Sequence, residues 1–330
     1  MMRRAALLSA ATIILTACSN EQAKEAPHLQ AAQVQPQCSV SLVVLGVAQD
    51  AGKPQIGNPG DPAWADPSLK RMATSLALID RRGETPRRWL FEATPDIKEQ
   101  LHALNAVAAV EKPVQLDGVF LTHAHIGHYA GLMMLGHEAA GAQNVPVYAM
   151  PRMADYLSTN GPWSQLIKYY NITLAIMNAG EAEMVTDGMS VTPFLVPHRQ
   201  EFSEVVGYKI ETPDKSALFI PDIDSWEEWD GQGTRIEEMI AGADFAYLDA
   251  SFFADGEIPG RDMSGFPHPF VSHSMARFAP LSPEEKSKVR FIHMNHTNPL
   301  HDPAASERNT VRDAGFNIAE EGEETCLTAG

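Results

Sequence analysis

The sequence predicts an α+β domain in which two β-sheets pack face to face and helices cover their outer surfaces. Apolar, strand-like stretches alternate with helical stretches along residues 41–319, and the alternation occurs in two successive halves. The number of strands is too large for one sheet flanked by a few helices. No internal repeat and no second linker interrupts the last 290 or so residues, so we expect one domain there.

The first half begins with the apolar run at residues 41–46, which predicts a strand. Two further apolar runs flank the polar turn at residues 81–84 and predict a hairpin or meander. Pro95 is typical of a helix start, and helical spacing follows it. The predicted strands of this half are residues 41–46, 74–80, 89–92 and 117–121, and its predicted helices are 96–104 and 129–140.

The second half has more strands than the first. Its predicted strands are residues 145–150, 172–177, 190–196, 205–211, 217–220, 245–248, 289–294 and 316–319. Its predicted helices are residues 152–158 and 226–241, with a third that ends at 310–314.

The N-terminal segment predicts export and a lipid anchor. A basic start precedes an apolar stretch at residues 5–16 that is too short to span a bilayer permanently. The following Leu-Thr-Ala-Cys, which ends at Cys18, resembles the lipobox of bacterial lipoproteins. The resemblance implies a signal peptide at 1–17, lipid on Cys18, and a membrane partner through that anchor. An ordinary export signal with an incidental cysteine is the alternative.

Ser19 follows the anchor and resembles the signal for sorting to the outer membrane, so the expected location is its periplasmic face. Residues 18–38 are rich in Gln, Ala and Pro and predict a flexible tether, which leaves residues 39–330 as the domain. The formal charge of −17 would repel phosphate backbones. We therefore expect a small-molecule substrate and no nucleic acid.

Two cysteines remain after the anchor, Cys38 before the first predicted strand and Cys326 near the end of the chain. An exported protein can retain a disulfide, because its compartment is oxidising. The sequence alone leaves open whether these two cysteines pair or stay as free thiols.

A metal site is indicated by His123, His125 and His128, which directly follow the predicted strand at residues 117–121. Imidazole is a ligand for zinc and iron, and catalytic zinc sites use three protein ligands with one position open for water. Further candidates also follow predicted strands, namely His198, Asp222 and His296. Because rigid scaffolds hold functional groups at strand ends, these side chains are expected to converge.

This order of ligands resembles the metallo-β-lactamase fold of metallohydrolases. Within that superfamily, the stretches VLGVAQD (44–50), THAHIGH (122–128) and FIHMNHTNP (291–299) resemble the pyrroloquinoline-quinone biosynthesis B protein family. The resemblance covers nearly all of residues 39–330. It implies a four-layer αββα sandwich of two mixed sheets.

The resemblance also implies how the ligands divide between two metal positions. His123, His125 and His198 match the first position, and Asp222 matches the carboxylate that bridges both. The second position matches His128 and His296, and Asp222 and His296 are the expected catalytic residues. The implied cofactor is one or two zinc ions, with iron or manganese as alternatives.

Two departures from the family pattern affect these expectations. The superfamily usually carries a metal-binding Asp where this chain has Gly127. Asp50, which lies just beyond the first predicted strand, either replaces that ligand or only caps a turn. The loop at residues 57–61 lacks the cysteines that relatives often carry there, so no structural zinc is expected in it.

Five further polar residues lie near the predicted strand ends, and an ordinary structural role is considered for each of them. His293 is expected to be structural or to support a ligand, and His268 and His273 to be solvated histidines of a Pro-rich loop that could roof the pocket. Asp249 either lines the pocket or caps a turn, and Asp224 is expected to be an exposed turn carboxylate unless it supports Asp222.

The favoured function is a hydrolase in which a metal-bound hydroxide attacks an ester, lactone, β-lactam, amide or phosphodiester. An iron-dependent oxygenase or hydroxylase related to quinone-cofactor biosynthesis is the first alternative, because three His and a carboxylate also suit iron. A lipid-anchored binding protein whose metal site has decayed is the second.

Overall fold

Two seven-stranded sheets form the centre of the molecule in the computed structural model, which describes residues 38–112 and 114–330. In chain order the strands are β1 (Cys38–Gly46), β2 (Ser75–Asp80), β3 (Arg87–Phe91), β4 (Gly118–Phe120), β5 (Val145–Ala149), β6 (Ile172–Ile176), β7 (Glu183–Thr186), β8 (Met189–Leu195), β9 (Val206–Glu211), β10 (Ser216–Ile220), β11 (Phe245–Asp249), β12 (Val289–Ile292), β13 (Asn317–Ile318) and β14 (Glu324–Ala329).

Both sheets are mixed, as predicted. The first sheet has the order β14-β1-β2-β3-β4-β5-β6, in which β14 to β3 pair antiparallel and β3 to β6 pair parallel. The second has the order β13-β12-β11-β10-β9-β8-β7, antiparallel from β7 to β10 and parallel from β10 to β13. The parallel half of each sheet brings the carboxyl ends of several strands to one edge.

Helices cover the outer faces of the two sheets. They are α1 (Ile97–Val107), α2 (Ile126–Tyr129), α3 (Pro151–Thr159), α4 (Trp163–Lys168), α5 (Trp226–Gly231), α6 (Ile236–Ala241), α7 (Val271–Phe278), α8 (Pro283–Lys288) and α9 (Ser306–Asp313). Short 3-10 helices are formed by Pro62–Trp64, Pro67–Leu69, Ala130–Leu135 and Pro299–His301.

The alternation of side chains along β1 shows why four layers form. Val40, Leu42 and Val44 belong to the core that also contains residues of the second sheet, such as Val191 and Tyr208. Val43 and Leu45 of the same strand belong to a separate core with α1, α3 and α4. Because successive side chains of a strand point to opposite faces, a strand that is apolar on both faces is buried between another sheet and a helical layer.

The predicted elements agree with the structure in most places, and the differences have local causes. The helix expected at 226–241 is two helices, because the chain turns through Gly233, whose φ of +91° favours glycine. The helix expected at 129–140 is mainly a 3-10 helix that ends at Leu135. Sequence analysis missed β7, β14, α4, α7 and α8, which are short or largely polar.

Cys38 and Cys326 are joined by a disulfide, with 5.6 Å between their Cα atoms. Cys38 is the first residue of β1 and Cys326 lies in the neighbouring strand β14, so the bond connects the two ends of the domain. Cys38 is therefore part of the first strand, whereas the sequence placed it at the end of the tether.

The predicted signal peptide at 1–17, the lipid on Cys18 and the rest of the tether lie outside the described residues and stay predictions. Within residues 38–112 and 114–330, no helix is both long and apolar enough to cross a bilayer.

Candidate metal centre

The histidines and carboxylates predicted to bind metal lie at one edge of the two sheets. The segments that supply them follow β1, β4, β8, β10 and β12. The carboxyl ends of parallel strands meet at the same edge of a sheet, where ligand sites of open sheets are found. Two sheets packed face to face then bring two such edges together, and the side chains from both meet between them.

A first set of four side chains consists of His123, His125, His198 and Asp222, and one ligand atom from each lies within 4.8 Å of the others. His125 Nδ1 is 2.9 Å from His123 Nε2 and 3.0 Å from His198 Nε2. Asp222 offers one oxygen to each side, at 3.4 Å from His123 Nε2 and 3.4 Å from His198 Nε2. Three imidazoles and a carboxylate in this arrangement are a donor set that suits zinc or iron.

A second set consists of Asp50, His128 and His293, which also offer ligand atoms within 4.8 Å of one another. Asp50 Oδ1 is 3.2 Å from His128 Nε2 and 3.9 Å from His293 Nε2. Asp222 adjoins this set as well, because its Oδ2 is 3.4 Å from His128 Nε2. Asp222 therefore lies between the two sets, in the position that the sequence comparison assigned to a bridging carboxylate.

Several atoms at the centre of the site are buried and make no hydrogen bond within residues 38–112 and 114–330. They are Asp50 Oδ1, Asp222 Oδ1, His128 Nε2 and His293 Nε2. Buried polar atoms are nearly always paired, because leaving one unpaired costs free energy. Unpaired acceptors and imidazole nitrogens that face one another are what a metal position requires, and the residues present therefore fit a metal ion.

The histidine run is held in place by contacts on both sides. His125 precedes α2 with an extended backbone, and the His128 amide donates to the His125 carbonyl. The amide of Ala124 donates to Ser203 Oγ at 2.9 Å, and the amide of Ala93 donates to the His128 carbonyl at 2.8 Å. The turn between β4 and α2 is thus fixed to both sheets before any metal binds.

Each histidine of the two sets also contacts a polar group through its other ring nitrogen. The partners are Thr122 Oγ1 for His123 at 2.8 Å, Glu201 for His125 at 3.0 Å, Asp224 for His198 at 2.6 Å, Glu92 for His128 at 3.5 Å and Ser251 for His293 at 3.1 Å. Such partners fix the tautomer and orientation of a metal-binding imidazole and raise its basicity. Every histidine is therefore oriented with one nitrogen directed to the centre of the site.

The electrostatics of the site favour neutral imidazoles and an ionised carboxylate in the first set. Burial lowers the pKa of His123 well below its usual value, and burial also lowers the pKa of His125. Burial alone would raise the pKa of Asp222, but His268, His198 and His293 outweigh it and hold that pKa well below its usual value. Neutral imidazole and ionised carboxylate are the forms that bind metal.

His128 differs from the other ligand candidates. Burial lowers its pKa, but the adjacent carboxylates, Glu92 first, outweigh burial and raise the pKa well above the usual value. The imidazole thus holds a proton among carboxylates, and a metal at the second set would replace that proton, since metal binding releases protons from its ligands.

The structure does not place His296 among the clustered ligand atoms, although the sequence analysis expected it to bind metal and to act in catalysis. His296 belongs to neither set and lies beside Lys53, which donates to its backbone carbonyl at 3.1 Å. His293 takes the expected place, because it follows β12 directly and its φ of +65° turns the side chain toward His128. His293, which was expected to be structural or to support a ligand, lies among the candidate ligand atoms of the second set.

His268 and Asp249 also lie inside the centre, whereas His268 was expected to be solvated. His268 is buried, with Nδ1 at 2.7 Å from Asp249 and 3.2 Å from Asp222. Burial lowers the pKa of His268, but Asp249 and Asp222 outweigh it and raise the pKa to about 9. Asp222, Asp249, His268 and His293 form a third group of close ligand atoms, which shares Asp222 with the first set and His293 with the second.

The remaining polar residues near the site include one that lies where it was expected, one with a different partner and two that were missed. His273 is exposed, as expected for a surface histidine. Asp224 contacts His198 rather than Asp222. Sequence analysis missed Glu92 and Glu201, although Glu92 directly follows an apolar strand, which is the signal that identified the other site residues.

Replacing Asp224 with asparagine is expected to lower the metal affinity of the first set by roughly 10–100-fold, because the change removes the charged partner that orients His198. Isothermal titration of metal-free protein with zinc measures the effect. Asp155→Asn, on the exposed face of α3, is the matched control and is expected to leave the affinity unchanged. Equal affinities of the two variants would show that Asp224 does not orient the ligand.

Comparison with known proteins identifies the family of the chain. A family model described as beta-lactamase superfamily domain matches residues 87–299. Coenzyme PQQ synthesis protein B of Xanthomonas oryzae pv. oryzae is similar to this chain, with 26% identity over 321 residues that cover 87% of this chain and 99% of the relative.

Solved structures share the fold. Zn²⁺-bound PqqB from Methylobacterium extorquens aligns with a TM-score of 0.70 and 25% identity, over 86% of this chain and 99% of that protein. A diphosphatase of the PhnP family aligns with a TM-score of 0.59 and 24% identity, over 87% of this chain and 96% of that protein, and shows the fold alone. The chain therefore belongs to the beta-lactamase superfamily of metallohydrolases, and the coenzyme PQQ synthesis B proteins are among its relatives.

Proposed function

We propose that this protein is a metal-dependent hydrolase that acts on a small-molecule ester, lactone, β-lactam, amide or phosphodiester. The observation that carries the proposal is the first set, in which three imidazoles and Asp222 converge while two of the imidazoles are almost fully buried. A bound divalent metal lowers the pKa of its water from ~15.7 to ~7 and polarises a carbonyl or phosphoryl group.

The residues of the chain supply position and charge for this chemistry. Asp222 remains ionised beside both sets, so its oxygens are available to orient a ligand or a water proton. His125 is the most exposed imidazole of the first set, with 18% of its side chain accessible against 1% for His123 and His198. Substrate therefore approaches the first set from the side of His125.

Zinc is the metal that we propose for the first set. Three His and one carboxylate are a zinc-type donor set, and the solved relative PqqB is a Zn²⁺-bound protein. Manganese and iron remain alternatives, because imidazole and carboxylate ligands also suit them.

The test is a hydrolysis panel with purified protein loaded with zinc, manganese or iron(II). We expect at least one substrate class among esters, lactones, β-lactams and phosphodiesters to be hydrolysed, and a chelator to abolish the reaction until metal is restored. Hydrolysis that survives removal of all metal would contradict the proposal. No hydrolysis of any class with any of the three metals would favour a binding protein instead.

An iron-dependent oxygenase is the second candidate, and the second set favours it. Two His and one carboxylate are the ligands typical of non-haem iron(II) oxygenases. The curated relatives act in the synthesis of coenzyme PQQ according to their names. Metal analysis of protein purified without added metal separates the two candidates, because dominant iron together with oxygen uptake would favour the oxygenase.

A further inference from the structure

We propose that Asp50, on the loop after β1, is the carboxylate ligand of a second metal ion, and that Gly127 is glycine because any side chain there would displace Asp50. The inference does not rest on the hydrolase proposal, which depends on the first set, and the two have only Asp222 in common. It concerns which residues of this chain complete the other metal position.

The space around Gly127 is the first observation. A Cβ atom built on Gly127 would lie 2.4 Å from Asp50 Cα, 2.6 Å from its Oδ1 and 2.8 Å from its Cβ. Real Cβ atoms essentially never approach another heavy atom this closely, and the nearest atom is backbone, which cannot swing away. The absence of a side chain at residue 127 is therefore what allows the loop to enter the site.

The position of Asp50 is fixed by its neighbours in the loop. The Gln49 amide donates to the Met294 carbonyl at 2.8 Å, and Asn295 Nδ2 donates to Gln49 Oε1 at 2.6 Å. Lys53 pairs through its backbone with Arg71 in both directions. Because Met294 directly follows His293, these contacts connect the Asp50 loop to the segment that presents another ligand of the same set.

The buried unpaired atoms point to a ligand rather than to a turn cap. Asp50 Oδ1 accepts no backbone N–H in the described part of the chain, as a capping carboxylate would, and it faces His128 Nε2 at 3.2 Å instead. His128 is 2% exposed and His293 is fully buried, and the Nε2 atoms of both are also unpaired. Asp222 Oδ2, at 3.4 Å from His128 Nε2, adds a second carboxylate beside these two imidazoles.

Two carboxylates and two imidazoles make this position richer in oxygen than the first set. Carboxylate oxygen suits manganese better than imidazole nitrogen does. We therefore expect the second position to prefer zinc over manganese less strongly than the first set does.

Metal counting on purified full-length protein tests the assignment, with zinc alone and manganese alone as the probes. The variants are Asp50→Asn, which keeps the shape but removes the charge, and Gly127→Ala, which leaves the carboxylate but adds the Cβ. Wild type is expected to bind two ions at saturation. In each variant the affinity for the second ion is expected to fall, while the first ion remains bound. The fall is expected to exceed the roughly 10–100-fold loss that follows removal of a residue that only supports a ligand.

Two matched controls separate the proposal from general damage. Asp155→Asn changes an exposed carboxylate, and Gly231→Ala adds a Cβ where no heavy atom lies within 4 Å. Both are expected to bind two ions as wild type does. Retention of the first ion and an unchanged thermal transition of the metal-free protein show that Asp50→Asn is folded, so the test does not depend on Gly127→Ala.

The proposal is overturned if wild type binds only one ion at saturation, or if Asp50→Asn binds the second ion with wild-type affinity. If Gly127→Ala binds the second ion with wild-type affinity, the idea that glycine is needed at residue 127 to admit Asp50 is overturned. These outcomes are independent of the hydrolysis panel: two bound ions without hydrolysis would contradict the proposed function and leave the second metal position standing.

Discussion

Replacing His125 with alanine is expected to remove the metal bound by the first set and to lower hydrolysis by at least ~10³-fold, because activated water at neutral pH depends on a metal that lowers the water's pKa from ~15.7 to ~7. His125 suits this test because its Nδ1 lies between His123 and His198 while part of its ring is accessible. Truncation therefore opens the ligand set without leaving a closed cavity in the core.

The measurement is metal content after dialysis, together with the rate on whichever substrate the panel identifies. His102→Ala, on the exposed face of α1, is the control and is expected to match wild type in both. The thermal transition of metal-free His125→Ala should equal that of metal-free wild type, since the side chain is not part of the apolar core. Full metal occupancy in His125→Ala would show that the first set is not the metal site.

Loss of the disulfide is expected to lower the free energy of unfolding by about 2–5 kcal/mol, with the larger values favoured because the bond closes a loop of 288 residues. In the chain-entropy model a crosslink restricts the unfolded chain more when the loop is longer. The bond also joins β1 to β14, which is the edge strand of the first sheet and pairs only with β1 among the described strands.

Urea denaturation with and without reductant measures this effect, and the double variant Cys38→Ser, Cys326→Ser is its control. Wild type is expected to lose stability on reduction, whereas the double variant is expected to be equally unstable in both conditions. Two reactive thiols in denatured, unreduced wild type would contradict the bond. Unchanged stability after complete reduction would show that the long loop contributes little.

Much of the fold was accessible from the sequence because its strands carry a strong local signal. The strands at 41–46 and 217–220 are short apolar runs bounded by turn residues, and their bounds differ from β1 and β10 by few residues. The elements that were missed, such as β7 and α8, have too few buried apolar positions to produce a periodic pattern. Their structure depends on neighbours that are distant in the sequence.

The types of ligand were also predictable, but the choice between similar residues was not. His123, His125, His198 and Asp222 each follow a strand of a rigid scaffold, so strand ends alone bring them together. His293 and His296 both follow β12, and the sequence analysis favoured His296, whereas the structure places His293 in the second set. The backbone turn after Ile292 directs His293 into the site and carries His296 to Lys53.

By itself the sequence determined the fold class, the edge at which the site lies and the chemistry of its ligands, because hydrophobic periodicity and residue type are local properties. The tertiary structure decided how that chemistry is completed. Whether Asp50 reaches His128 depends on the distance between two loops that pack against each other, and the room for that approach is the missing side chain of Gly127. Close packing between distant segments has no counterpart in a local pattern, so only the assembled domain reveals it.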